Sequence, residues 1–489
     1  MFRAIYRKCQ GAIVFDKACI WRTTGLAAIV FVLTACDIAQ AQTGEEKAKA
    51  FTLEQAVEFA LKNYPAVRAS LERVRSAEAG VGVARTSYLP RTDILWQTNR
   101  ATDNNITGLY FPNSVIAPIS GPVSLSTSNQ SAWGSAGGLL FSWEPLDLGY
   151  RGAKVDAARA VKNRASAEAS LTRLDVSVAT VNAYLTLLAA EQTVRAAEAD
   201  LERRETFTKS VHVLVDNQLR AGADASRADA ELARARVSLA RAEQQAATSR
   251  AALANILGIA DQTVEVRESA LLGAPPATAI PATPVSANPF AQAQQARVQE
   301  SQFLVRALDR SYYPKFYFQS EVMGRGSGFD PTGKFLGGSE GLGPDRANWA
   351  VGVTATFPVF DIFSIKSKRA VEAANEHAEE ARYDQALQDL TGQLRKAQAS
   401  LDGARKVAEN TPVELDAART TETQERARYQ AGLATLVDVS DAQSLLVQAE
   451  IDDSLARLAV WQNVASVAAA QGDLTPFLEF LHDAAPGAK

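Results

Sequence analysis

Asn348-Trp349-Ala350-Val351-Gly352-Val353-Thr354-Ala355-Thr356-Phe357 alternates strictly: Trp349, Val351, Val353, Ala355 and Phe357 fall on one side, and Asn348, Ala350, Gly352, Thr354 and Thr356 on the other. A period of two is the signature of a β-strand with two unlike faces. Just upstream, Phe316, Phe318 and Val322 alternate with Lys315, Gln319 and Glu321. Much earlier in the chain, Leu139, Phe141 and Trp143 oppose Gly138, Leu140 and Ser142. Segments of about ten residues, apolar on one side and small or polar on the other, suit a barrel between lipid and water. Two soluble hairpins, each with one buried face, would give the same period.

Aromatic placement favours the barrel. Trp96, Trp133, Trp143 and Trp349 lie in or beside these segments, with Tyr110, Phe111, Tyr312, Tyr313, Tyr317 and Phe360, whereas residues 152–288 hold only Tyr184 and Phe207. Aromatic rings gather at membrane interfaces because they are apolar yet tolerate water at one end. The stretches between paired strands, 101–131 and 324–347, are rich in Gly, Pro, Asn and Ser, as exposed loops are.

The same plan is written twice. Pro65 and Pro90 are as far apart as Pro289 and Pro314, in like contexts: Asn63-Tyr64-Pro65 against Asn288-Pro289-Phe290, and Tyr88-Leu89-Pro90-Arg91 against Tyr312-Tyr313-Pro314-Lys315. Glu144-Pro145-Leu146-Asp147 answers Phe357-Pro358-Val359-Phe360-Asp361, and Arg220-Ala221-Gly222 answers Gln430-Ala431-Gly432. Three landmarks in one order indicate an internal duplication of roughly 210–225 residues.

Between landmarks the period becomes helical. Leu53, Ala56, Val57, Ala60 and Leu61 share one face of a first helix. Leu171, Leu174, Val178, Val181, Leu185 and Leu188 recur at spacings of three and four, as do Leu387, Leu390, Leu394, Ala397 and Leu401 in the second copy. Such seams, with many alanines, predict closely approaching coiled helices. Continuous helix from Tyr150 to Gln218 would reach roughly 100 Å. The reading is a mixed α/β membrane protein, internally duplicated, with long coiled-coil helical hairpins and four strands.

Composition agrees. The 489 residues are 47% hydrophobic and 22% charged with a net charge of −4, which excludes a disordered chain and gives no footprint for nucleic acid. Arg3, Arg7, Lys8, Lys17 and Arg22 precede an apolar run over 25–35 that is too short to span a bilayer, the layout of a secretory signal. Leu33-Thr34-Ala35-Cys36 fits a lipoprotein site acylated at Cys36; Ala39-Gln40-Ala41 fits ordinary cleavage before Gln42. Both stay open. All three cysteines (Cys9, Cys19, Cys36) lie here, so the mature chain has no disulfide, thiol catalysis or cysteine metal site. The predicted organisation is a signal segment 1–41 (1–35 if acylated), a first repeat 42–270 with a strand pair within 91–144 and a hairpin tip near 222, a Pro/Ala-rich linker 271–288, a second repeat 289–474 with a strand pair within 315–360 and a tip near 432, and a tail 475–489.

Two stretches carry a family resemblance. Thr52-Leu53-Glu54-Gln55-Ala56-Val57 through Asn63-Tyr64-Pro65, and Arg428-Tyr429-Gln430-Ala431-Gly432-Leu433-Ala434-Thr435-Leu436-Val437-Asp438-Val439-Ser440-Asp441-Ala442-Gln443, resemble the outer-membrane efflux protein (TolC-like) family over nearly the whole mature chain. The resemblance implies a homotrimer whose protomers give four strands each to a twelve-stranded barrel, with helices forming a tunnel across the periplasm. It further implies partnership with a periplasmic adaptor protein, an inner-membrane transporter and outer-membrane lipid, no cofactor and no bound metal.

The far ends of the hairpins are the candidate site. Gly222 and Gly432 each follow a long helix, where a left-handed residue ends a helix at low cost. Ser226-x-x-Asp229 and Thr435-x-x-Asp438 then read as capping boxes starting the return helices. Gly222, Ser226, Asp229, Gly432 and Thr435 are thus candidate adaptor-docking tip residues. Asp438 and Asp441, three apart, share a helix face. Pointed at a pore axis they would form a carboxylate ring, which selects cations and, by crowding, raises carboxylate pKa values; a solvated capping pair is the alternative. The family's gate aspartates match these two positions, and its entrance tyrosine matches Tyr429. The arginine expected two residues after the glycine is Ala434 here, and Asp229 is the tyrosine's partner only if the first tip carries a one-residue insertion.

An enzyme is disfavoured: His212, His377 and His482 are scattered, and no phosphate-binding glycine loop is present. A periplasmic coiled-coil adaptor without a pore is the remaining rival, and it would lack the duplicated amphipathic strands.

Overall fold

The computed structural model describes residues 49–102, 129–267, 270–273, 281–330, 332 and 334–484. The signal segment, Cys36, Tyr110 and Phe111 lie outside the described residues. The elements run β1 (Lys49–Phe51), α1 (Leu53–Asn63), α2 (Pro65–Thr86), β2 (Arg91–Thr102), β3 (Ser131–Leu146), α3 (Tyr150–Asp216), α4 (Gly222–Ile256), β4 (Val264–Val266), α5 (Pro289–Ser311), β5 (Lys315–Ser327), β6 (Arg346–Thr356), α6 (Asp361–Gln430), α7 (Leu436–Gln471) and α8 (Thr475–Ala484). The duplication is visible in lengths: α2 and α5 have 22 and 23 residues, α3 and α6 67 and 70, α4 and α7 35 and 36.

Local chemistry sets these bounds. Thr52 and Gln55 form a reciprocal capping box at α1, with the Thr52 hydroxyl accepting from the Gln55 amide at 3.3 Å and the Gln55 side chain accepting from the Thr52 amide at 3.2 Å. Pro65 and Pro289 each take the first helical position, where the missing N–H has no partner to lose. Asn288 caps α5 by accepting from the Phe290 amide at 2.8 Å. The Asn288 side chain also donates to the Ala470 carbonyl at 3.0 Å, which ties the start of the second repeat to the end of α7. Gly472 ends α7 with φ +88°, and a Cβ there would lie 2.6 Å from Pro289 Cδ. Only glycine meets both demands.

The two strand pairs join into one antiparallel sheet of order β2-β3-β5-β6. Register builds continuous cross-strand rows: Ile94 opposes Leu139, Leu139 opposes Val322, and Val322 opposes Trp349. Phe141, Ser320 and Val351 form the next row, and Trp143, Phe318 and Val353 the one after. The opposite face carries Asp93, Gln97, Ser142, Gln319, Glu321 and Thr354, since successive side chains alternate sides.

The main core lies at mid-helix. Tyr184, Leu187 and Leu188 of α3, Ala56 and Ala60 of α1, Leu253 of α4 and Trp461 of α7 pack together, fully buried. The Tyr184 hydroxyl reaches the carbonyls of Phe51 (3.1 Å) and Arg267 (3.0 Å), pinning the short β1–β4 ladder to α3. That ladder has no counterpart in the sequence reading. The C-terminal stretch expected as a tail contains α8, whose Phe477 is buried edge-on against Trp461 with ring centroids 6.3 Å apart. The linker is likewise anchored at one end, with Leu271 buried in the same core.

Phe477→Ala removes the largest α8 side chain from this core. It costs about 3–5 kcal/mol and lowers the temperature at which the helical circular dichroism signal is lost, while exposed Glu479→Ala leaves that temperature within error.

Candidate gate at the helical hairpin tips

Both hairpin tips close in the same way, from different residues. At the second tip, Gly432 takes φ +77° and donates to the Tyr429 carbonyl at 3.0 Å, while the Leu433 amide donates to Arg428 at 2.8 Å. These are the paired bonds of a Schellman motif. At the first tip the left-handed residue is Gln218, φ +62°, with Gln218 donating to Val215 and Leu219 to Leu214, each at 2.9 Å. Gly222 is therefore not the helix stop. It is the first residue of α4, with Ala221 as its N-cap.

Two expectations change with it. Ser226 and Asp229 lie inside α4 and form no capping box; the Asp229 carboxylate instead meets His212 Nε2 of α3 at 2.9 Å. The tips also align differently: Gln218 answers Gly432, and Asp224 answers Asp438, each third in its return helix. The matching Ala-Gly pairs misled because α4 starts at once at Gly222, with Asp224 in its first turn, where a carboxylate suits the helix dipole.

Tyr429 is the centre of a small second core with Val211, Ala228, Leu436 and Val439, and is only 1% exposed. Phe207 stands edge-on to its ring at 5.5 Å, and the Arg220 guanidinium lies 4.3 Å from the ring centroid. Arg220 also donates to the Tyr429 carbonyl. The Tyr429 hydroxyl donates to Asp224 Oδ2 at 3.2 Å. Its partner is Asp224, not Asp229. Burial, reinforced by the Asp224 charge, pushes the phenol up to about 12, against the opposing pull of Arg220. The tyrosine thus remains a neutral donor at neutral pH. The first tip holds the last turn of α6 by ring face, backbone and hydroxyl together, a cation–π contact alone giving about 0.5–2 kcal/mol.

Thr435 and Asp438 do form a capping box. The Asp438 carboxylate accepts from the Thr435 amide and hydroxyl, both at 2.8 Å, and the Asp438 amide donates to Thr435 Oγ1 at 3.4 Å. Those bonds, the backbone one first, hold the Asp438 carboxyl below its ordinary value within a single protomer. Asp441 is exposed on the same face, near one turn further along.

Above the tips a charged belt links the hairpins. Buried Arg204 donates to Asp200 (2.9 Å), Glu231 of α4 (3.3 Å) and Ser444 of α7 (3.2 Å). Arg203 grips Glu450 of α7 through two bonds, at 2.7 and 3.3 Å. Sequence reading missed Arg203, Arg204, Arg220 and Asp224, because each acts across helices far apart in the chain.

At the other end of the chain's helices, the sheet leaves its apolar rows open: Ile94 is 82% exposed, Trp349 78% and Val353 73%. Among the described residues no helix is long and apolar enough to cross a membrane. A family model described as outer membrane efflux protein matches residues 56–259 and 286–473, which takes in both hairpins and all four strands of this sheet. The chain belongs to the outer membrane efflux protein family. It is an outer membrane protein from a family of channels, not of enzymes. The CmeC outer membrane channel of Campylobacter jejuni superposes with a TM-score of 0.70 at 17% identity, covering 86% of this chain and 85% of that one. The outer membrane protein VceC of Vibrio cholerae gives 0.67 at 18%, covering 86% and 96%. The open state of the MtrE outer membrane channel of Neisseria gonorrhoeae gives 0.69 at 19%, covering 86% and 89%. No curated sequence matches the chain.

The His212–Asp229 contact is open to direct measurement. Its hydrogen bond, then the Asp229 charge, raises the imidazole above 6.5. The contact therefore contributes in full below 6.5 and is lost as pH rises through the raised value. Asp229→Asn returns the His212 titration, followed by NMR of the ring protons, towards 6.5.

Proposed function

We propose that this efflux-family channel is one protomer of a trimeric duct, in which three four-stranded sheets close a twelve-stranded barrel in the outer membrane. The helical hairpins extend this barrel as a tunnel through the periplasm, and substrate passes passively from an inner-membrane pump and its adaptor to the exterior. The observation that carries the reading is the sheet: apolar rows exposed on one face, and edge strands β2 and β6 that pair outward with no other strand among the described residues. In lipid only a closed barrel satisfies strand edges, and four strands are too few, since such barrels start at about eight. An adaptor without a pore has no use for such a face.

Within the duct the hairpin tips form the periplasmic gate. Tyr429 is the latch between the two hairpins of one protomer, while Asp438 and Asp441, exposed on α7, line the entrance. Gly222, Ser226, Asp229, Gly432 and Thr435 belong to the tip surface that meets the adaptor.

Val353→Arg places a cation on the lipid face at about 2–4 kcal/mol per copy near the midplane, and prevents recovery of an SDS-resistant trimer from outer membranes. Thr354→Arg, on the polar face, assembles. Equal assembly of both would count against a membrane barrel.

Replacing Asp438 and Asp441 together by Ala weakens block of single-channel current by trivalent cations added from the periplasmic side, with assembly intact. Unchanged block reduces the pair to a cap and a surface residue.

A further inference from the structure

α5 and α7 share one groove, both packed between α3 and α6, and they meet there end to end. α5 starts at Pro289 and α7 stops at Gln471, tied by the bond from the Asn288 side chain to the Ala470 carbonyl. Two abutting helix ends fill a groove less completely than one continuous helix would. A cavity of about 660 Å³ remains at the junction, with Asn288 and Ala470 in its wall. Leu171, Leu174 and Val178 of α3, Leu390 and Ala397 of α6, and Phe290 of α5 give it an apolar lining. At about 100° per residue, Asn463, Ser466 and Ala470 of α7 lie opposite Trp461, Val464 and Ala468, which face the main core. On α3, Asp175 and Asn182 are exposed, away from Tyr184, Leu185 and Leu188. The cavity thus opens on the side of the rods away from α1, α8 and the β1–β4 ladder, which pack on that core.

One charge in that lining has no counter-charge. The Asp175 side chain makes no hydrogen bond or ion pair among the described residues. Burial alone raises its carboxyl, with no opposing pull from Lys396, which also lines the cavity but is exposed to water. A carboxylate partly withdrawn from water beside an apolar recess gains from a cation that brings its own apolar surface, because the cation replaces the lost hydration. Phe290, 42% exposed at the start of α5, offers a ring face of the kind that cations also favour. Asn182, Gln393 and Asn463 add uncharged hydrogen-bonding groups to the wall. The volume suits a small organic ligand, for which pockets run from about 300 to 1,000 Å³. An anion of the same shape would meet a carboxylate of its own sign, and an uncharged one would leave that carboxylate desolvated without a partner.

We propose that this recess is a binding site in the tunnel wall for aromatic organic cations, with Asp175 holding the charge and the apolar lining receiving the ring system. This rests on the duct reading above, with the side of the rods away from the main core as the bore. Three protomers then carry three such sites at one level between the tips and the sheet. Cargo that has passed the entrance is retained at the wall before it reaches the barrel, and the duct gains a preference by charge and shape that a bare passage lacks.

The test uses the full-length trimer, with ethidium as a flat aromatic cation and fluorescein as a flat aromatic anion. Titration followed by fluorescence anisotropy gives saturable ethidium binding to the wild type, and fluorescein binds at least tenfold more weakly. Asp175→Asn raises the ethidium Kd at least tenfold, Asp175→Glu raises it less than threefold, and Lys396→Gln does not raise it. Ser466→Trp, at an exposed position that fills the recess, abolishes ethidium binding and carries the comparison if Asp175→Asn fails to assemble. Absence of saturable binding in the wild type, unchanged binding in either variant, or fluorescein bound as tightly as ethidium overturns the site. Single-channel recording of the same proteins in planar bilayers separates this from the duct. Wild type and Asp175→Asn conduct alike without ethidium, and ethidium reduces the wild-type current more. Normal conductance without ethidium binding overturns the site alone; wild-type trimer that inserts but conducts nothing overturns the duct reading and the site in its bore with it.

Discussion

The constraint on which the structure depends is the unfinished sheet. Four antiparallel strands with one apolar face and two edges cannot be satisfied by a single chain in lipid, where each unpaired backbone group costs several kcal/mol. The duplication answers part of this: each repeat supplies one hairpin, and the β3–β5 pairing joins them into a sheet twice as wide. The remaining edges are left for other copies in the proposed duct. The core around Tyr184, Leu188 and Trp461 draws α1, α3, α4, α7 and α8 together midway along the rods, and the Asn288–Gly472 contact locks the junction of the repeats.

The two hairpin tips show how duplicated elements diverge. Both end in Schellman turns and restart with an aspartate at the third helical position, yet the aspartates do different work. Asp224 receives the Tyr429 hydroxyl from the other hairpin; Asp438 is turned back onto its own Thr435. Ala434 leaves no arginine beside the second tip's glycine, and the guanidinium that covers the Tyr429 ring is that of Arg220, from the first tip. Above them the Arg204 and Arg203 clusters bury charge between helices. Such buried charges add little net stability but are costly to separate, which suits a joint that must keep two hairpins in one register.

Much was legible in local pattern. The period-two alternation of residues 348–357 assigned the strand faces that the register of β5 and β6 displays, and Thr435-x-x-Asp438 is the capping box its spacing implied; the prolines at 65 and 289, read as matching landmarks of the two repeats, stand at the starts of matching helices. The same kind of pattern failed at Ser226-x-x-Asp229, where a competent helix start four residues earlier left the motif inside α4. A capping motif states which residues could cap, and the chain uses the first satisfactory start.

By itself the sequence determined periodicity, hence which side of each strand and helix is apolar, because this depends on neighbours a few residues apart, and comparison of its two halves showed the twofold repeat. Tertiary structure alone decided that Tyr429 meets Asp224 rather than Asp229, that Gln218 takes the left-handed turn, that β1 pairs with β4, and that Arg325 stands opposite Arg346. The pairings among these join residues from separate elements, 205 positions apart for Tyr429 and Asp224. For Tyr429 and Asp224 the meeting depends on the offset at which the two helical hairpins pack on each other, and a shift of one helical turn, which local patterning tolerates, would separate that pair.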